Sequence, residues 1–230
     1  MPTVRNICDQ IQNAFTYLDD AKLTIFTNGI SRNNARVTWH GPQDEDFLDN
    51  SQHPNIEQYI TWLKSNNYLS LLFDGSLIQV TYDLRNGEVV GHRLNYFPCP
   101  YEIDLILFKR NKPPADVVDD CRNAGNMPIL RSPVRFDFDL DTARPGHPAS
   151  HMTMNSVDCR IACVAPLHVL RFLDFVFGHF YPEFHTAHGQ FFATANSRHI
   201  GQACLVDQDR RSIHLSWDVH ATATGGTLGR

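Results

Sequence analysis

The chain has 230 residues, 42% of them hydrophobic and 20% charged, and carries a formal net charge of -5. A chain of that length suits one domain and buries roughly 70% of its unfolded surface. The acidic balance argues against broad electrostatic binding to nucleic acid and leaves room only for a local basic patch. No run approaches the ~20 apolar residues of a membrane helix. The start, MPTVRNICDQ, lacks the apolar stretch of a secretory signal. Six cysteines (Cys8, Cys99, Cys121, Cys159, Cys163 and Cys204) include no C-x-x-C pair. They read as buried free thiols, and the expected compartment is the cytoplasm.

In chain order, residues 3–19 repeat apolar side chains at helical spacing (Val4, Ile7, Ile11, Ala14, Phe15, Leu18). Residues 22–27 and 35–40 are short strand candidates joined by a loop with Asn28-Gly29 and Asn33-Asn34, and the acidic stretch 41–54 reads as a surface loop. The spacing predicts a second helix over 55–66, ended by Asn66-Asn67. Next, the runs 68–73, 77–84 and 89–96 are separated by Asp74-Gly75 and Asn86-Gly87. Such pairs between alternating runs signal hairpins, because a type I′ turn needs positive φ. Residues 101–108 fit strand or helix, 109–114 a turn and 116–123 a short helix.

Two alternating runs follow, VRFDFD at 134–139 and SHMTMN at 150–155, joined by a loop with Pro145, Gly146, His147 and Pro148. Residues 159–164 extend this set. Pro166 is expected to open a helix that is apolar nearly all round and therefore buried against the sheet. Residues 213–217 fit a last strand. The expected fold is α+β, a twisted antiparallel sheet with helices packed mainly on one face. Residues 1–220 form a single domain in this reading, and 221–230 a flexible tail.

Alternation places Arg135, Asp137 and Asp139 on one face of the first run, and His151, Thr153 and Asn155 on one face of the second. If the runs pair, one sheet face holds Arg, Asp, His, Thr and Asn together. The candidate catalytic residues are Arg135, Asp137, Asp139, His147, His151 and Arg160. Imidazoles and carboxylates are the usual acids and bases near neutral pH, and Arg135 and Arg160 suit a bidentate phosphate contact. Asp137, Asp139 and His151 are the candidate ligands for a divalent metal, although no standard zinc signature is present. The bland alternative is a solvated sheet face with an ordinary Arg–Asp ladder.

Other constellations have bland explanations as well. His179, His185 and His188 stand at a helix end, near the negative pole of the dipole, which favours imidazolium. His40 and His214 read as surface or core-edge residues. Cys159 and Cys163, four apart near Arg160, read as strand cysteines rather than nucleophiles. The run 109–112, KRNK, with Arg131, reads as a solvated turn. Walker, G-x-G-x-x-G and G-x-S-x-G motifs are absent from the sequence.

The run RFDFD, followed by HPASH, CRI, a Pro-started helix and FY, resembles a bacterial family of uncharacterised proteins, domain of unknown function 2290. The likeness centres on residues 135–181 and implies a bacterial origin without an activity. The meander LLFDGSLIQVTYDLRNGEVVGHRLNY, the RFDFD strand and the HPASH segment are also similar to toxins of the TumE kind, from toxin–antitoxin pairs. Those toxins carry more histidines in that segment. This resemblance implies a nuclease-like role in bacterial conflict.

Two functions are therefore carried forward. One is a phosphodiesterase or ribonuclease of toxin–antitoxin or phage-defence type, acting on RNA or another nucleic acid, with His151 as base or acid, His147 its partner, Asp137 orienting an imidazole, and Arg135 and Arg160 stabilising phosphorane-like charge. The other is a non-catalytic defence-complex subunit, docked on an operon-encoded protein through the apolar helix and the Phe191-Phe192 region. Neither involves a membrane.

Overall fold

The computed structural model describes residues 4–33, 35–41, 55–103, 112–156, 158–198 and 200–218. The expected segments at 42–54 and 104–111, and the tail from 219, lie outside the described residues. Among the described residues there are ten strands in one mixed sheet, with seven α-helices and a 3₁₀ turn.

Helix α1 (Val4–Asp20) precedes β1 (Thr24–Thr27), β2 (Ile30–Arg32) and β3 (Arg36–Trp39). The sequence reading takes β2 for loop, since three residues between two Asn-rich turns give too short an alternation to see. Helix α2 (Ile56–Lys64) starts with a reciprocal capping box between Asn55 and Gln58. It ends where Asn66 takes φ +53, a left-handed conformation that Asn tolerates better than most residues. The meander follows as β4 (Ser70–Leu72), β5 (Leu77–Arg85) and β6 (Glu88–Phe97). Asn86 and Gly87 both have positive φ, at +54 and +81, as a type I′ turn requires. At Asp74-Gly75 only the glycine does, at +88. Gly75 N–H donates to Leu72 O across the turn and Leu72 N–H to Ser76 O. This is a longer loop closed by a left-handed glycine, not the two-residue turn the sequence suggests.

Helix α3 (Pro114–Asn123) leads to β7 (Val134–Asp139), β8 (Ser150–Met154) and β9 (Arg160–Cys163). Helix α4 (Val169–Phe180) begins three residues later than its proline implies, because the His168 side chain accepts from Leu170 N–H and caps it. Short helices α5 (Pro182–Ala187), α6 (Gly189–Ala193) and α7 (Asp207–Arg210) precede β10 (His214–Leu215). The sheet order is β1-β4-β5-β6-β7-β8-β9-β10, with β3 on β5 beside the end of β4, and β2 on β3. Every pairing is antiparallel except β9 with β10, which is parallel.

Strand alternation gives the sheet two different faces. One meets α1, through Ile7, Ile11, Phe15 and Leu18, and α4, through Phe172, Leu173, Val176 and Phe177. These pack on Val80, Tyr82, Leu94, Tyr96, Val134, Phe136 and Phe138. The other face is covered at one end by α2 and α3, which close a smaller core over Leu71, Leu77 and Phe97. Beyond that small core the same face turns polar. No described helix is long and apolar enough to cross a membrane.

Candidate functional site

The polar stretch is two cross-strand rows. The register sets Arg93 of β6 beside Asp137 of β7, then His151 of β8, then Ala162 of β9. One pleat along, it sets Asn95 beside Arg135, Thr153 and Arg160. Side chains opposite one another on paired strands share a face. The pairing of VRFDFD with SHMTM therefore delivers what alternation promises, and β6 adds Arg93 and Asn95, which the sequence reading misses.

Asp137 is the hub. Arg135 Nε donates to its Oδ2 at 2.6 Å, Arg93 Nε lies 3.4 Å from Oδ1, and His151 Nε2 lies 3.5 Å from Oδ2. The Nδ1–H of His151 donates to the Pro148 carbonyl at 2.8 Å. This fixes the ring and turns Nε2 toward the carboxylate. Burial pushes the His151 pKa down, against the pull of Asp137. The His151 side chain is only 4% exposed, against 12% for Asp137 and 13% for Arg135.

His147 reaches the cluster through a tight turn. Arg144 and His147 exchange backbone hydrogen bonds across Pro145 and Gly146. Gly146 has φ +78, as the third position of a type II turn demands, and proline suits the second. The His147 ring centroid then sits 5.0 Å from that of His151. Burial, followed by the charges of Arg160 and Arg144, lowers its pKa too.

Several polar atoms here are buried without a hydrogen-bond partner among the described residues: Asn95 Oδ1, Asp137 Oδ1, Thr153 Oγ1, Arg160 Nε and His147 Nδ1. Buried polar groups are seldom left so. Three of these belong to the row that holds Arg135. Asp139 stands at the edge of the cluster, where its charge still acts on His147. It is exposed at the end of β7, and its Oδ1 accepts from the N–H groups of Asp141 and Thr142, so it shapes the turn. Asn155 lies just past β8 with φ +57, also exposed.

The candidate metal set does not fit a divalent ion. Among the described residues no group of three or more His, Cys, Asp or Glu side chains is placed to hold one. The Asp139 carboxylate is taken up by the N–H groups of Asp141 and Thr142, and Asp137 is already met by two guanidiniums, whose charge opposes a dication.

The second histidine group does not converge. His179 Nδ1–H donates to Phe175 O at 2.8 Å, His185 Nε2 pairs with Asp174 at 2.7 Å, and His188 Nδ1 meets Tyr17 Oη at 2.9 Å. All six cysteines are free. Burial raises the pKa of Cys163 well above that of an ordinary thiol, so it is not poised as a nucleophile, and Cys159 is exposed. Of the basic run, residues 109–111 lie outside the described residues, Lys112 pairs with Asp120, and Arg131 lies 3.5 Å from Asp74. The aromatic pair expected to meet a partner packs internally instead. Phe191 stacks on Tyr17 with centroids 3.9 Å apart, and Phe192 is buried against Phe177 and His185.

Compared with known families, residues 20–217 match the family model described as "Uncharacterized conserved protein (DUF2290)". No curated protein and no solved structure matches the chain. The likeness to TumE-type toxins therefore rests on the sequence motifs alone.

Proposed function

Since the chain belongs to this uncharacterised conserved family, we propose a function from the site itself, a phosphodiesterase acting on nucleic acid, RNA foremost. One observation carries the reading. Arg93 and Arg135 share a sheet face with two adjacent histidines around the Asp137 carboxylate, Arg160 stands one row over, 3.9 Å from Asp158, and buried polar atoms without a hydrogen-bond partner lie among them. The guanidinium fork matches a phosphate bidentately and offsets charge that develops at phosphorus. His151, held neutral by burial with Nδ1–H tied to Pro148 O, presents Nε2 as the base. Nε2 takes the proton of the attacking water or ribose hydroxyl, Asp137 stabilises the imidazolium so formed, and the protonated fraction of His147 at the rim gives its proton to the leaving oxygen as the bond to phosphorus breaks. The motif likeness to TumE-type toxins supports a place in toxin–antitoxin or phage defence.

A second reading has its own support. His151 and Asp137 are almost inaccessible, and the carboxylate is held by its cationic neighbours, as in a structural network of a non-catalytic subunit. One experiment separates the two. Wild type, His151→Ala and Asp137→Ala are incubated with single- and double-stranded RNA and DNA, with Mg²⁺, Mn²⁺ or EDTA. The phosphodiesterase reading expects cleavage by wild type that is insensitive to EDTA and falls at least 100-fold in both variants while they stay folded. Full activity in both variants removes these residues from the chemistry. No cleavage by wild type favours the subunit, and recovery of a stable partner that the same variants release then identifies its role.

A further inference from the structure

On the opposite side of the sheet from Asp137, a cleft of about 390 Å³ runs between α4, α5 and the strand at β10. That volume falls in the range of small-molecule sites. Its floor is apolar, from Phe136, Phe175, Leu215 and Trp217, and its polar groups are Arg171, His179, Ser216 and the Asp174–His185 pair.

Arg171 decides what kind of ligand this is. It is half-buried, and its Nη2 donates to the carbonyls of Ala195 at 3.1 Å and Asn196 at 3.4 Å. Its guanidinium lies 5.5 Å from the centre of the Trp217 ring. Asp174 and Asp218 both act on it electrostatically, but the Asp174 carboxylate is hydrogen-bonded to His185. The Arg171 Nε is buried with no hydrogen-bond partner. A half-buried guanidinium with an Nε left over can still take an anionic oxygen. Both imidazoles at the cleft are fixed through one nitrogen, His179 by Phe175 O and His185 by Asp174, which leaves His179 Nε2 and His185 Nδ1 for a ligand. Gly178 keeps the space open. A Cβ there would rest 3.7 Å from the His185 ring, and any longer side chain would project into the cleft.

We propose that this cleft binds a small planar aromatic anion, with its charged group at Arg171 and the two imidazoles and its ring against Phe175 and Trp217. The site is independent of the phosphodiesterase reading and stands or falls without it. The anion's source, a nucleotide phosphate or an aromatic carboxylate, is left to the arms of the test.

The test is ligand-observed NMR and calorimetric titration of the full chain with adenosine monophosphate and, separately, indole-3-acetate, with adenosine and inorganic phosphate as controls. The expected result is saturable binding of at least one aromatic anion, weakened tenfold or more in Arg171→Gln and abolished in Gly178→Leu. Leucine is a better helix former than glycine, so Gly178→Leu fills the cleft without unmaking α4. His179→Ala, on an exposed side chain, gives a second variant with an intact core and should weaken binding several-fold. Binding by the nucleotide alone or by the carboxylate alone identifies the source. Equal binding of adenosine or bare phosphate overturns the proposal, as does affinity that survives Gly178→Leu or vanishes in Arg135→Gln on the other face. No saturable binding of either anion at millimolar concentration overturns it outright.

Discussion

At the residue scale, His92 shows how a buried histidine can be wholly structural. It stands on β6 between Arg93 and Gly91, so the pleat sends it to the face opposite Asp137. There its Nε2 accepts from Leu167 N–H at 2.9 Å and its Nδ1–H donates to Phe136 O at 3.3 Å. Both ring nitrogens are committed in the neutral form, and burial pulls its pKa down to about 4 from an ordinary 6.5. The unfolded chain therefore binds a proton that the folded chain refuses between those values. Stability is full above about pH 7, falls as pH drops through 6.5, and levels off below 4, a loss of roughly 3 kcal/mol. His147 and His151, also lowered, add to the loss with the same sign. In His92→Gln, whose amide can still donate and accept, urea melts at pH 7.5 and 4.5 should show a visibly smaller difference than in wild type. Equal losses in the two proteins would show that His92 does not carry this proton linkage.

At the element scale, turns decide what reaches the site. Gly146 holds φ +78 with no atom within 4 Å of where a Cβ would stand. Gly146→Ala thus meets no clash and costs only backbone strain, about 1 kcal/mol. The same strain should loosen the Arg144–His147 turn that aims His147 at His151. Denaturant melts should register the loss, and NMR titration should show His147 moving toward an ordinary histidine pKa while His92 stays put. An unchanged His147 would mean that the loop is fixed by something other than this turn. The Asn86-Gly87 turn was legible in the sequence, as were the meander, α1 to α4 and the β7–β8 pairing, because each is written in neighbouring residues, whereas the Asp74-Gly75 loop was read one size too short. Arg93 and Asn95 were not legible as site residues. Their own alternation with His92, Leu94 and Tyr96 is plain, but β6 meets β7 across the whole span from residue 98 to 133, and no local pattern states which strand becomes a neighbour. The part Asp139 plays in the turn was hidden for the converse reason. The residue shares the right face by parity, yet at the end of a strand its carboxylate finds the nearest backbone N–H groups first. The Arg171 cleft was hidden because a run of apolar residues in α4 reads as buried all round, while its outward stripe is met by the next helix, α5, and by β10, far along the chain.

At the scale of the whole molecule, one sheet serves two cores, and consecutive residues divide between them. Leu72 enters the core beneath α1 and α4, and Leu71 the smaller core beneath α2 and α3. Ile78 and Leu77 on β5 divide the same way, as do Tyr96 and Phe97 on β6. A strand cannot lose one face's packing and keep its pairing, since the backbone ladder that orders one side chain orders the next. The two cores should therefore melt together, as a single domain would, even though α2 and α3 form a cap that in isolation resembles a separate small unit. The tryptophans allow this to be read directly, because Trp39 lies in the first core and Trp62 in the second. Variants that keep only Trp39 or only Trp62, with the other tryptophans changed to phenylalanine, should give coincident urea midpoints by fluorescence and by circular dichroism. Leu71→Ala should then lower both midpoints together, by an amount corresponding to about 2–5 kcal/mol, although it empties space only on the side of Trp62. If the Trp62 signal is lost at lower urea while Trp39 holds, the α2–α3 cap is an independent folding unit and the polar face beside it opens before the rest of the sheet.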